Sequence, residues 1–222
     1  MSSTRPRILT VEGNIGAGKS TFLGELQTRY SNRTDILFLL EPVSIWETVV
    51  DSSGKNMLQK FYDEPQKYSF AFQVMAFSTR LKMIREAIEK ASEPDSPIKT
   101  IVMERSLDAD RAIFAQMLRD DGLLEECEFQ IYTMMAEDAM RSYSADGILW
   151  VNVPPEVCYE RVGIRARGGE NNISLDYLVK CGSYHTEWLG ADMGFVFQVE
   201  DSKSSDTTFW EKVDMYVIGE HM

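Results

Sequence analysis

Apolar positions along the chain follow two rhythms. Short runs rich in branched residues recur at 8–11, 36–40, 100–103, 148–153 and 195–199, and the segments between them carry apolar residues at helical intervals. That alternation predicts an α/β fold with a five-stranded parallel sheet and helices on its two faces, a three-layer arrangement. The longest predicted helix opens at Pro65, a residue suited to a first helical turn. It carries Phe70, Val74, Phe77, Leu81, Ile84 and Ile88 before the breaker cluster 92–97. Further helices are predicted at 108–119, 123–141, 155–165, 174–188 and 208–217. Three stretches rich in Gly, Ser, Asn or charge, 51–55, 165–172 and 200–207, read as functional loops. With no repeat, long linker or low-complexity tract, the 222 residues form one predicted domain, 1–222.

Composition narrows the partners. Thirty-five acidic against 23 basic side chains leave a net charge of -12, which repels a phosphate polymer and argues against a nucleic-acid partner. A small anion remains possible wherever cations cluster. Cys127, Cys158 and Cys181 are an odd set without Cys-x-x-Cys spacing, which points to thiols in a reducing compartment rather than a disulfide framework or a zinc site. No apolar run approaches the roughly 18 to 20 residues of a membrane span. The short, strand-like N-terminus leaves no room for a cleavable leader, so a cytoplasmic address is expected.

The first strand runs directly into Gly13-Asn14-Ile15-Gly16-Ala17-Gly18-Lys19-Ser20-Thr21, with a helix predicted to start near Phe22. This matches G-x-x-x-x-G-K-[ST] in its strand–loop–helix context, a P-loop. Its glycines let backbone N–H groups turn toward phosphate oxygens, Lys19 adds a positive charge, and the Ser20 hydroxyl can meet Mg²⁺. Such a loop defines a nucleoside triphosphate donor such as ATP and leaves the acceptor open.

Acceptor chemistry comes from strand ends. Glu41, with Pro42, Val43 and Trp46 after it, follows the second strand on the side where a doubly wound sheet opens to ligand. A carboxylate there can take the proton of an attacking hydroxyl, or form an ordinary ion pair. The third strand ends in Glu104-Arg105-Ser106: Glu104 can serve Mg²⁺ and Arg105 can neutralise the transferring group, or the two can pair with each other. Arg161, Arg165 and Arg167 cluster before Gly168-Gly169-Glu170. They read as a mobile arginine lid over phosphates at about 161–172, or as a solvated basic helix end.

Taken in order, the P-loop, Glu41-Pro42-Val43 with Trp46, Leu58-Gln59-Lys60-Phe61-Tyr62, Ser69-Phe70-Ala71-Phe72-Gln73, Glu104-Arg105-Ser106 through Asp110-Arg111, and 161–170 resemble the deoxynucleoside kinases related to deoxycytidine and deoxyguanosine kinase. The resemblance implies an ATP- and Mg²⁺-dependent salvage enzyme that phosphorylates a sugar 5′-hydroxyl and pairs as a homodimer through helices that follow Pro65 and precede the third strand. It makes Glu41 the base with Arg105 beside it, and gives Mg²⁺ to Ser20 and Glu104. Tyr62 and Glu170 would hold the 3′-hydroxyl and Gln73 the base edge, with Leu58, Phe61, Phe72, Phe114 and Trp46 around the base. Arg80 held by Asp110 resembles the branch that takes deoxycytidine or purine deoxynucleosides rather than thymidine. The stretch 200–207, where relatives carry an acidic-aromatic pair toward the donor base, lacks an aromatic until Phe209. Two other readings are a nucleoside monophosphate kinase and a non-catalytic nucleotide-binding subunit. The first needs cations for the acceptor's phosphate, yet 41–62 offers only Lys55 and Lys60.

Overall fold

A computed structural model describes residues 5–165, 170–190, 196–200 and 207–219. Strands β1 (Arg7–Glu12), β2 (Ile36–Leu39), β3 (Thr100–Glu104), β4 (Gly147–Asn152) and β5 (Val196–Glu200) form one sheet in the order β2-β3-β1-β4-β5. Every pairing is parallel, with Ile36 opposite Thr100, Arg7 opposite Thr100, Leu9 opposite Gly147 and Ile148 opposite Val196. β1 and β3 are sealed on both faces, which is why they read as nearly unbroken apolar runs. The five strands match the expected runs to within a residue or two, although Phe195 lies outside the described residues.

Helices α1 (Lys19–Arg29), α2 (Val43–Thr48), α3 (Met57–Asp63), α4 (Pro65–Ala91), α5 (Leu107–Ala109), α6 (Gln116–Asp120), α7 (Glu126–Ser142), α8 (Pro155–Arg165), α9 (Leu175–Leu189) and α10 (Thr207–Ile218) connect and cover the strands. Several boundaries correct the sequence expectations. α1 begins at Lys19, not near Phe22, because Gly18 takes the left-handed φ of 97° that ends the loop, and helical geometry starts at the next residue. α7 begins at Glu126 rather than 123: Gly122 is left-handed, and Glu125 closes a capping box with Glu128. Between α5 and α6, Asp110–Ala115 is a π-helical turn, a widening that apolar periodicity does not announce. α2 and α3 are too short to show a period. The stretch 51–55 is a tight turn closed by a Val50–Asn56 bridge, with Asp51 accepting the Ser53 and Lys55 amides. It serves the fold and lies off the cavity described below.

α4 shows how the layers meet. Its buried face is Ser69, Phe72, Gln73, Ala76, Phe77, Arg80, Ile84 and Ala87, whereas Phe70, Val74, Leu81 and Ile88 of the expected stripe are only half-buried. Among its polar members, Gln73 and Arg80 ride on an apolar period, and the helix turns them toward the carboxyl end of the sheet. One core lies around α1, β1, β4 and α8 to α10, with Leu9, Leu23, Leu149 and Leu178 at its centre. A second, aromatic core gathers Trp46, Phe61, Phe72, Phe77 and Tyr132 from α2, α3, α4 and α7.

Candidate active site

Between these cores, at the carboxyl ends of β1 and β3, opens a cavity of about 520 Å³. On one side stands the P-loop. Ile15, Gly16, Gly18, Lys19, Ser20 and Thr21 face the cavity, while Gly13, Asn14 and Ala17 do not and instead build the loop from behind. A Cβ on Gly13 would sit 2.4 Å from the Val151 carbonyl oxygen, and one on Gly16 2.5 Å from that of Cys158, so both approaches require glycine. The buried Asn14 amide donates to the Leu178 carbonyl at 2.8 Å and its Oδ1 accepts the Ile15 N–H at 2.8 Å. Lys19 Nζ donates to the Asn14 carbonyl at 2.9 Å. Burial, reinforced by the nearby Arg105 cation, lowers the Lys19 ammonium to about 8. Ser20 Oγ donates to Glu104 Oε1 at 2.8 Å.

Glu41 also lines the cavity. Its Oε1 lies 3.1 Å from Arg80 and 3.4 Å from Arg105. Burial would raise this carboxyl, but Arg80, Arg105 and Lys19 together outweigh it and bring it down to about 2, so it stands ionised at neutral pH. Arg80, only 1% exposed, grips Asp110 with Nε to Oδ2 at 2.9 Å and NH2 to Oδ1 at 3.3 Å, and its NH1 donates to the Glu104 carbonyl at 3.0 Å. One guanidinium therefore ties the base to the third strand and to the π turn. Arg105 stacks its guanidinium 4.5 Å over the Phe114 ring and donates to the Gly13 carbonyl at 3.2 Å.

Opposite the P-loop, the wall is aromatic. Phe61 and Phe72 stack at 4.6 Å and 9°, and Trp46 meets Phe72 edge-on at 5.6 Å while its indole N–H donates to Thr79 at 2.9 Å. Leu58, Tyr62, Gln73 and Phe114 complete that wall. Burial, then the Glu170 and Glu41 carboxylates, raise the Tyr62 phenol, which stays a neutral O–H donor. Arg165 donates to the buried Glu170 from Nε at 3.0 Å and from Nη2 at 2.7 Å, and Arg161 donates to the Ala17 carbonyl at 3.1 Å. Both arginines line the cavity; Arg167 and the residues 201–206 lie outside the described residues.

The fold adds residues that sequence reasoning passed over. Tyr177, Ala76 and Leu40 line the cavity without any motif to mark them. His185 lies against Phe114 at 6.4 Å, nearly edge-on, and donates through Nδ1 to the Cys181 carbonyl at 2.7 Å. Burial, with Arg105 next, pushes its ring down to about 3, so it is neutral. Glu12, the last residue of β1, is fully buried beside the site. An acid at a strand's carboxyl end was a readable signal there, as at Glu41 and Glu104.

A glycine cradle on a helix N-terminus, a serine paired with a strand-end carboxylate, and an ionised carboxylate facing both define a P-loop phosphotransferase. A family model, deoxynucleoside kinase, matches residues 9–220. The chain is 33% identical to a probable deoxycytidine kinase of Fowlpox virus (strain NVSL), over 86% of this chain and 75% of that protein. It is 34% identical to a mitochondrial deoxyguanosine kinase of Xenopus laevis, covering 82% and 72%, and 32% identical to deoxycytidine kinase of Homo sapiens, covering 84% and 76%. The chain belongs to the deoxynucleoside kinase family, a kinase that binds nucleoside and nucleotide substrates. Among the described residues, no helix is long and apolar enough to cross a membrane.

Proposed function

We propose that the protein transfers the γ-phosphoryl of ATP to the 5′-hydroxyl of a deoxynucleoside, with deoxycytidine or a purine deoxynucleoside preferred to thymidine. The observation that carries this reading is Glu41, an ionised carboxylate held by Arg80 and Arg105 between the phosphate cradle and the aromatic wall. In the step, the 5′-oxygen forms a bond to the γ-phosphorus, the bond to the β-phosphate oxygen breaks, and the hydroxyl proton passes to Glu41. Lys19 and the loop amides hold the phosphates, and Arg105 faces the charge that develops on the transferring group. The Ser20 hydroxyl and the Glu104 carboxylate are hard oxygen donors that suit Mg²⁺, and among the described residues no cluster of three His, Cys, Asp or Glu competes for a metal. Held by these two residues, Mg²⁺ would supply positive charge that offsets that of the phosphates.

On the acceptor side, Tyr62 and Glu170 hold the 3′-hydroxyl, Gln73 offers one donor and one acceptor to the base edge, and Phe72, Phe114 and Trp46 enclose the ring. The Arg80–Asp110 pair fills the space a thymine methyl would need. Arg161 and Arg165 act as a lid on the phosphates, and Arg165 couples it to the sugar through Glu170. Homodimerisation is part of the proposal, supported by Ile131, Met134 and Met135, which leave an apolar strip of α7 in solvent beside α4. A reducing, cytosolic setting fits three cysteines with no disulfide.

The test is Mg²⁺- and ATP-dependent turnover of the four deoxynucleosides and of their monophosphates by the purified protein. Turnover of deoxycytidine or a purine deoxynucleoside supports the reading. Efficient use of thymidine would remove the base preference, and use of monophosphates alone would make the protein a monophosphate kinase.

A further inference from the structure

Arg105 is the one non-glycine residue among the described residues with a left-handed backbone, φ 66°. For a residue with a Cβ that conformation is strained, and it persists only where neighbours impose it. Here β1 imposes it twice. The Arg105 N–H donates to the Val11 carbonyl at 3.1 Å, and the next N–H, that of Ser106, is turned toward β1, where Glu12 Oε1 receives it at 2.8 Å. Ser106 then caps the following helix, its Oγ accepting the Ala109 N–H at 3.0 Å. The first of these acceptors is main chain, whereas the second is a side chain.

Glu12 is an expensive way to supply one acceptor. It is 0% exposed, and its second oxygen, Oε2, is buried without a hydrogen-bond partner. Burial raises its carboxyl; the charged groups around it are Arg105, Arg80 and Lys19, which draw it back. Replacing such a group by an apolar side chain removes a desolvation cost, so fold stability alone does not account for it.

Resting on the kinase reading above, we propose that Glu12 is a positioning residue: by capturing the Ser106 N–H it locks the left-handed turn at Arg105 and so aims the Arg105 guanidinium at the transferring phosphoryl. The aim depends on that turn. With an extended backbone at residue 105, the Cα–Cβ bond would point elsewhere. The guanidinium would then leave Glu41, the Gly13 carbonyl and the Phe114 face, which it now meets at 3.4, 3.2 and 4.5 Å.

Two substitutions separate this role from a structural one. Glu12→Gln keeps an amide oxygen for Ser106 at the same reach, while Glu12→Met keeps length and bulk but offers no acceptor. The expected result is a kcat for Glu12→Met about 10²-fold below wild type, the size of effect seen on losing one preorganised donor, with KM for both substrates within about threefold. Glu12→Gln recovers most of that rate. In crystals of the two variants Arg105 keeps a positive φ with Gln and loses it with Met, a reading that needs no turnover. Wild-type turnover in the same assay tests the kinase reading separately. Equal losses for Gln and Met, wild-type kcat for Met, or an unchanged Arg105 φ in the Met crystals would each overturn the proposal. Should Glu12→Met not accumulate folded, Glu12→Asp, which is charged but one methylene too short to reach Ser106, takes its place with the same two outcomes.

Discussion

In the proposed reading the donor side of the cavity is one unbroken run, 13–21, that works largely through main-chain groups, while the acceptor side draws Glu41, Tyr62, Gln73 and Arg80 of α4, Phe114 and Glu170 from distant parts of the chain and works through side chains. On the donor side, Gly13 and Gly16 set the geometry, and a Cβ there would meet the Val151 and Cys158 carbonyl oxygens at 2.4 and 2.5 Å. On the acceptor side the geometry is set by buried charge: Arg80 binds Glu41, Asp110 and the Glu104 carbonyl at once. A contiguous motif can thus be held by close backbone packing against its neighbours, here β4 and α8, whereas a dispersed pocket needs a charged hub to hold its parts in register.

The comparison breaks most visibly at the point where both sides converge. Glu41→Gln is expected to lower kcat by about 10²- to 10⁴-fold while leaving the KM of the deoxynucleoside nearly unchanged, because the amide keeps the contacts and loses the basicity. Steady-state kinetics of both substrates checks it. Next in size, Arg80→Met removes the hub and leaves Asp110 buried and unpaired, a loss of about 3–5 kcal/mol by urea unfolding. The double variant Arg80→Met with Asp110→Leu regains most of that stability and admits thymidine, which sharpens the claim that this pair sets base choice.

How much of this could be read beforehand follows the same divide. The P-loop was legible to the residue, because its chemistry is written in adjacent positions, and only the helix start at Lys19 was misplaced. The strands and the bounds of α4 and α8 were legible from period and proline. The face of α4 was not: its buried row includes Gln73 and Arg80, which an apolar count skips. Nor was the π turn that presents Asp110 and Phe114, since one extra residue per turn leaves no compositional trace. His185 is buried beside Arg105, which no local pattern carries, whereas Glu12 stands at a strand's carboxyl end and could have been read as Glu41 and Glu104 were.

A smaller effect separates the sides through stability and binding. Gly13→Ala places a Cβ against the Val151 carbonyl at a φ of 147° and costs about 1–3 kcal/mol, raising the KM of ATP while calorimetric affinity for the deoxynucleoside stays as it was. The gentlest test is pH. With Lys19 lowered to about 8, the free enzyme holds its phosphate-binding cation below that pH and loses it above. The kcat/KM for ATP therefore falls about tenfold per unit above pH 8, while the limb in kcat lies at higher pH because bound phosphates raise the ammonium. A kcat/KM flat to pH 10 would contradict it.

The most direct measurement is a crystal structure with deoxycytidine, or whichever deoxynucleoside is turned over fastest, bound in the cavity. The account predicts the 5′-hydroxyl within hydrogen-bond distance of Glu41, the 3′-hydroxyl between Tyr62 and Glu170, and the base edge on Gln73. A nucleoside whose 5′-hydroxyl points away from Glu41 and whose base lies outside the Phe61–Phe72 wall would contradict it.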